Sequence, residues 1–185
     1  KGDYSLKKLY TDPTTKIILV EPIVNNCNII ANKLRNYKNI VICNKVVSSE
    51  TGSVNFYECN ADSCSTCSEN HIEKSCFGGG EQGKFMMKDE KTFAEHYFFK
   101  PPTLKESITI DKLIELYGEP DLIKIDVDGN EIEVLKGCQN LLRENRKISL
   151  LIELRKETYN SAKKILKKNF FKLISKMRNN YVWGK

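Results

Sequence analysis

Short aliphatic runs rich in β-branched residues recur along this chain, each followed by a stretch with helical periodicity. The runs at 16–20 (KIILV), 39–47 (NIVICNKVV), 122–127 (LIKIDV) and 147–154 (KISLLIEL) are too short for buried helices. They are apolar on both sides, the pattern of strands covered on both faces. Between them, 25–36 carries Ile29, Ile30, Ala31 and Leu34 on one side, and 110–117 carries Leu113, Ile114 and Tyr117 ahead of a stop at Gly118. Residues 130–145 carry Ile132, Leu135, Leu141 and Leu142 inward. This alternation predicts right-handed βαβ units and an α/β fold, a mostly parallel sheet with helices on both faces. A short helix at 5–10 broken by Asp12-Pro13, a strand at 53–57, a helix at 161–169 and a closing antiparallel pair at 170–175 and 181–183, around Asn179-Asn180, complete the pattern. The first strand of such a sheet is expected upstream of Gly2.

A chain of 185 residues suits one domain with one core, taken as 1–185. Residues 58–107 stand apart as an insertion or lid. They hold four Cys, Gly78-Gly79-Gly80, both His and few aliphatics, with order returning at Thr109. Phe85, Phe93, Tyr97, Phe98 and Phe99 can wall a pocket there or anchor the segment to the core. Hydrophobic residues at 40% and charged residues at 29% exclude a disordered chain. The net charge of +6 permits an anionic partner. No Lys/Arg run reaches the length of a nucleic-acid arm, which argues against that partner. Lys163, Lys164, Lys167, Lys168 and Lys172 read as a solvated face. No stretch reaches the ~18 apolar residues of a membrane span. Nothing in the sequence signals an oligomeric state.

Seven Cys is an odd count. Cys27, Cys43 and Cys138 lie in apolar or helical settings and read as buried thiols. This distribution argues against a secreted disulfide framework and for a reducing, cytoplasmic compartment. Cys59, Cys64, Cys67, His71 and Cys76 include a Cys-x2-Cys pair of the kind zinc takes, but a second pair is missing and the spacings match no standard finger. An incidental cysteine-bearing loop is preferred over zinc or local disulfides, so no metal is assigned.

Two constellations carry chemistry. In a nucleotide-binding βαβ unit, glycines let the backbone approach the ligand, and an acid ~20 positions on, at the tip of the next strand, accepts hydrogen bonds from ribose hydroxyls. Gly2 and Glu21 fit that spacing, and Glu21-Pro22 directly follows KIILV. A carboxylate suits a diol because it offers only acceptors. Spacing alone leaves a second reading standing, a solvated Glu at a strand end. The other constellation is Asp126-Val127-Asp128-Gly129-Asn130-Glu131, three carboxylates at the C-terminal end of a buried strand, the edge where open α/β sheets bind ligands. Gly129 permits a sharp turn, Asn130 can cap the next helix and Glu131 suits its positive end. Capping explains Glu131 well and Asp126 poorly, since strand alternation turns Asp126 away from Ile125 and Val127.

The runs KIILVEP, NIVICNKVVSSETGSVNFYE, SITIDKLIELYGEPDLIKIDVDGNEIEVLKGCQNLL and LLIEL, in order from about Gly2 to Glu153, resemble the FkbM-type methyltransferase family. Only 58–107 is left without a match. The most specific stretch is IKIDVDGNEIEVLKG, where the family shows an Asp, a Glu-Gly pair and a further Glu; Asp128 replaces the usual Glu and shortens the carboxylate's reach. The resemblance implies a Rossmann-like class I methyltransferase fold, mostly parallel with an antiparallel C-terminal strand. It implies S-adenosylmethionine as methyl donor and a hydroxyl acceptor on a sugar, glycan or small metabolite. Gly2 and Asp3 match the end of the family's glycine loop and Glu21 its ribose-binding acid. Val46, Val47 and Ser48 match the adenine edge. Asp126, Asp128 and Glu131 match the acidic motif that would serve the acceptor. Two carboxylates close together would repel, raising one pKa and making one a better base. The 58–107 segment would choose the acceptor. The alternatives are a binding or scaffold domain that kept the fold and lost the reaction, and a nucleic-acid methyltransferase suggested by charge alone.

Overall fold

A computed structural model of the chain describes residues 3–59, 65–67 and 100–185. Helix α1 spans Asp3–Thr11, followed by β1 (Ile17–Val20), α2 (Val24–Leu34), β2 (Ile40–Cys43), β3 (Val46–Val47), β4 (Gly52–Phe56) and β5 (Thr103–Ile108). Then come α3 (Ile110–Tyr117), β6 (Leu122–Ile125), α4 (Glu131–Lys136), α5 (Gln139–Arg143), β7 (Ser149–Glu153), α6 (Lys156–Lys168), β8 (Lys172–Met177) and β9 (Asn180–Gly184). No described helix is long and apolar enough to cross a membrane.

The α/β alternation is as expected; the sheet arrangement is so only in part. Strands hydrogen-bond in three groups, β1-β2, β3-β5-β4 and β6-β7-β9-β8. The β1/β2, β3/β5 and β6/β7 pairs are parallel. The β4/β5, β7/β9 and β8/β9 pairs are antiparallel. Parallel pairing therefore does not dominate among the described residues. The chain reverses through Gly52, whose φ of 156° is one a side chain would resist, and β4 returns antiparallel on β5. The closing hairpin turns through Arg178 and Asn179 rather than Asn179-Asn180, with Arg178 left-handed at φ 55°. The antiparallel C-terminal strand is present as β9, inserted between β7 and β8.

Four further expectations are corrected. The apolar run at 39–47 is two strands, because Lys45 turns back to donate its backbone N–H to the Cys43 carbonyl (3.0 Å). The first half pairs with β1 and the second with β5. The run at 130–145 is two short helices. Gly137 interrupts it where the backbone meets Ser48, and a Cβ there would overlap the Ser48 carbonyl oxygen. Asp111 of α3 then caps α5 from outside, accepting from the N–H groups of Asn140 (2.9 Å) and Leu141 (3.1 Å). Finally, order returns before Thr109: β5 falls inside the segment read as insertion, and Ser107 and Ile108 at its end are buried. Its β-branched content is low, so the alternation signal was weak. Helix α6 begins at Lys156 rather than Ser161.

The main core is built by β6, β7, β9 and helices α3 to α6. Ile125, Leu150, Ile152 and Trp183 supply the sheet side, and Val134, Leu135, Leu141, Leu142, Ala162 and Leu166 the helix side. Cys138 is buried here, as expected, while Cys27 is only half-buried. The opposite face of this sheet meets α1 at Tyr4, whose ring centroid lies 5.9 Å from the Lys124 ammonium. Helix cover is thus uneven, and Leu122 and Met177 on that face stay exposed. A smaller cluster of Leu9, Ile30 and Leu34 ties α1 and α2 to β1 and β2 through Ile17, Leu19, Ile40 and Ile42.

Candidate active site

Parallel strands end together, so the residues that follow β1, β2 and β6 gather at C-terminal strand edges. After β1, Glu21 bonds its backbone N–H to the Cys43 carbonyl (3.0 Å), extending the β1/β2 register by one residue. Its Oε1 accepts from the Ile23 backbone N–H (2.9 Å) and from Asn26 Nδ2 (3.2 Å). Its Oε2 has no hydrogen-bond partner among the described residues. Asn26, on the first turn of α2, is 1% exposed and its own Oδ1 has no partner among the described residues. Glu21 is thus braced through one oxygen with the other open, and the buried Asn26 Oδ1 beside it is a group expected to find a partner. Pro22 beside it is half-buried.

The acidic turn after β6 is fastened at several points. Asp128 is left-handed at φ 42° and Gly129 at φ 92°, two successive residues in a region that costs a side-chain-bearing residue about 1–2 kcal/mol. The Asp128 carboxylate meets Arg155 at 3.1 Å, and its carbonyl accepts from the Thr66 hydroxyl at 2.6 Å. Glu131 Oε1 accepts from the Gly129 N–H (2.8 Å). Asn130 does not cap α4 with its side chain as expected; its Nδ2 donates to the Val47 carbonyl (3.1 Å). Asp126 is exposed, as alternation foretold, and pairs with Lys124.

Carboxylates crowd this turn, and their ionisation responds. Burial raises Asp128 from the ordinary Asp value to about 6; the charges of Asp126 and Glu131 add to that rise and Arg155 opposes it. Mutual repulsion therefore contributes, but burial is the larger cause. Burial also raises Glu131, which is 2% exposed and whose Oε2 has no hydrogen-bond partner among the described residues. Glu153, at the tip of β7, is raised by burial and then by Asp126. Sequence reasoning missed Glu153, Arg155, Asn26 and Thr66. Glu153 and Arg155 bracket the end of the 147–154 run and were findable as a strand-tip pair, by the logic already applied to Glu21. Thr66 carried no signal.

Residues 43–48 join the two constellations. Asn44 Nδ2 donates to the Glu21 carbonyl (2.9 Å), and three residues on, Val47 receives Asn130 of the acidic turn. Val47 is half-buried against the main core, and Ser48 is buried, its N–H bonded to the Ile108 carbonyl (3.1 Å). Glu21 and the acidic turn thus flank one short segment, without a direct bond between them among the described residues. Asp3 lies apart, with its exposed carboxylate 3.0 Å from Lys33, whose ammonium lowers its pKa. Gly2 lies outside the described residues, as do Cys64, His71, Cys76 and the aromatics at 85–99. Among the described residues no group of three or more His, Cys, Asp or Glu is arranged to hold a metal ion.

A strand-tip acid and a carboxylate turn facing one connecting segment are features that relatives can test. The family model for the methyltransferase FkbM domain matches residues 1–180. The crystal structure of methyltransferase FkbM from Methylobacillus flagellatus KT superposes with a TM-score of 0.55 at 16% identity, covering 100% of this chain and 40% of that one. That likeness is one of fold, and this chain spans less than half the length of that protein. No curated protein matches. With nearly its whole length matched by the family model and its fold shared with a solved relative, the chain belongs to the FkbM methyltransferase domain family.

Proposed function

We propose that this chain is an S-adenosylmethionine-dependent methyltransferase that methylates a hydroxyl on a sugar, glycan or small metabolite. The observation that carries the reading is Asp128, a carboxyl raised to about 6 by burial in a turn it shares with Asp126 and Glu131. A group titrating near neutrality is suited to accept a proton in the reaction. Residues 1–185 are read as one methyltransferase domain, with the acceptor chosen by the segment inserted before β5.

The residues present fit the donor. Glu21 keeps one carboxylate oxygen open while Asn26 and Ile23 brace the other, the state in which a carboxylate receives a diol. Val47 and Ser48 would border the adenine, with Pro22 beside Glu21 on the cofactor side. When bound, S-adenosylmethionine supplies a methyl group already activated by its sulfonium.

The chain's own residues then have modest work. The site must hold the acceptor oxygen in line with the methyl carbon. Asp128 takes the hydroxyl proton as the acceptor oxygen is methylated, and Arg155 at 3.1 Å stabilises the ionised form that begins each turnover. Asp126, held by its ion pair with Lys124, orients the hydroxyl. Glu131 bonds the Gly129 N–H and fixes the turn.

Methyl transfer from labelled S-adenosylmethionine to a panel of glycosides and hydroxylated metabolites tests this reading. Transfer by the unaltered chain, and a loss of about two orders of magnitude in Asp128→Asn or Asp126→Asn with cofactor binding retained, is expected. Unchanged turnover in both variants refutes the proton-transfer role. Donor binding without transfer to any acceptor would favour a scaffold that kept the fold.

A further inference from the structure

The described residues of the cysteine-bearing segment reach beyond it. Thr66 is 1% exposed, and its backbone is clasped to Tyr57 just past β4 by two hydrogen bonds, Tyr57 N–H to the Thr66 carbonyl (2.8 Å) and Thr66 N–H to the Tyr57 carbonyl (3.1 Å). Beside it the Cys59 N–H donates to the Ser65 hydroxyl (3.0 Å). Thr66 is thereby fixed to the β4/β5 pair, and its hydroxyl reaches across 62 sequence positions to the Asp128 carbonyl at 2.6 Å. That carbonyl belongs to the one residue of the acidic turn that has a side chain and a left-handed backbone.

We propose that Thr66 is a positioning residue for the acidic turn: by holding the Asp128 carbonyl it keeps Asp128 left-handed and its carboxylate against Arg155. A left-handed Asp persists only where its surroundings over-determine it. Here Arg155 holds the carboxylate, Thr66 the carbonyl, Glu131 the Gly129 N–H that follows, and the Val47 carbonyl the Asn130 side chain. Of these fasteners only Thr66 comes from the inserted segment. The bond therefore links that segment to the carboxyl proposed to take the proton. Its consequence for turnover rests on the proposed function; its consequence for Asp128 does not.

The groups facing Asp128 are Arg155, Asp126 and Glu131. Carboxyl carbon NMR on the cofactor-free chain reads the Asp128 titration directly, with Asp128→Asn supplying the assignment. Thr66→Val keeps the shape and removes the hydroxyl; Thr66→Ser keeps the hydroxyl; Thr66→Ala is the second deletion should Val fail to fold. Freed of its anchor, the turn becomes more exposed. The titration midpoint should fall by at least about half a unit in Thr66→Val or Thr66→Ala, roughly threefold in the protonated-to-ionised ratio at fixed pH, and return in Thr66→Ser. In methyl transfer the same deletions should lower kcat and shift its acidic limb, leaving the cofactor Kd unchanged. A midpoint unmoved in a folded hydroxyl-deleted variant overturns the proposal, as does failure of both deletions to fold, which would make Thr66 a determinant of the fold. If the unaltered chain binds no S-adenosylmethionine, the functional reading fails while the titration still decides Thr66.

Discussion

At the residue scale the chemistry is a contest between burial and charge. An unfolded Asp releases its proton near pH 4, whereas folded Asp128 holds its own to about 6. Across that window the folded state binds the extra proton, so stability is greater on the acid side and falls as pH rises. Glu131 and Glu153 are raised in the same sense. Asp128→Asn should flatten this fall. At pH 7 the variant should be more stable than the parent by about 1 kcal/mol, a figure reduced from the full linkage value because Arg155 loses its partner, and the gain should vanish below pH 4. Urea titrations of both proteins at pH 4, 5, 6 and 7 check this, and a parent-to-variant difference that does not change over the range would contradict it. On the donor side, Asn26→Ala removes a brace on Glu21 Oε1. It should weaken S-adenosylmethionine binding about fivefold without touching the acidic turn.

At the level of elements, much was legible because the signals were local. Residues 16–20, 122–127 and 147–154 are continuous aliphatic runs and became β1, β6 and β7 with small boundary shifts. Glu21 and the acidic turn were found at the ends of those strands for the same reason. What failed depended on contacts distant in sequence. Nothing around Gly137 announces a break; the helix stops because Ser48 lies against it. Gly137→Ala should therefore cost about 2 kcal/mol although alanine is the better helix former. Asp111 reads as a surface acid, yet it caps α5 across 29 positions. Asp111→Ala should lose about 1 kcal/mol in chemical denaturation, and Asp111→Asn should recover part of it. Thr66 was illegible for the same reason, since it meets the acidic turn only in the fold.

At the scale of the whole molecule, the described residues form two packed regions of unequal size that meet around residues 43–48. The larger holds Trp183, Ile152, Leu150 and Leu166, all essentially inaccessible, and the smaller centres on Leu9, Ile30 and Leu34. Hydrogen exchange should find the slowest amides in β7 and β9 and faster opening in α1 and α2. Equal protection of both regions would contradict this division. The cofactor proposal places the donor beside the smaller region and the acceptor beside the larger, so ligand binding should slow exchange in α2 more than in α6. The most direct test of the account is calorimetric titration of S-adenosylmethionine into the full chain and into Glu21→Ala. We expect saturable binding by the parent and affinity weaker by about tenfold or more in the variant, the loss of charge-assisted hydrogen bonds to the ribose. Absence of binding heat in the parent, or equal affinity in the two, would contradict the claim that the carboxylate at the tip of β1 holds the donor.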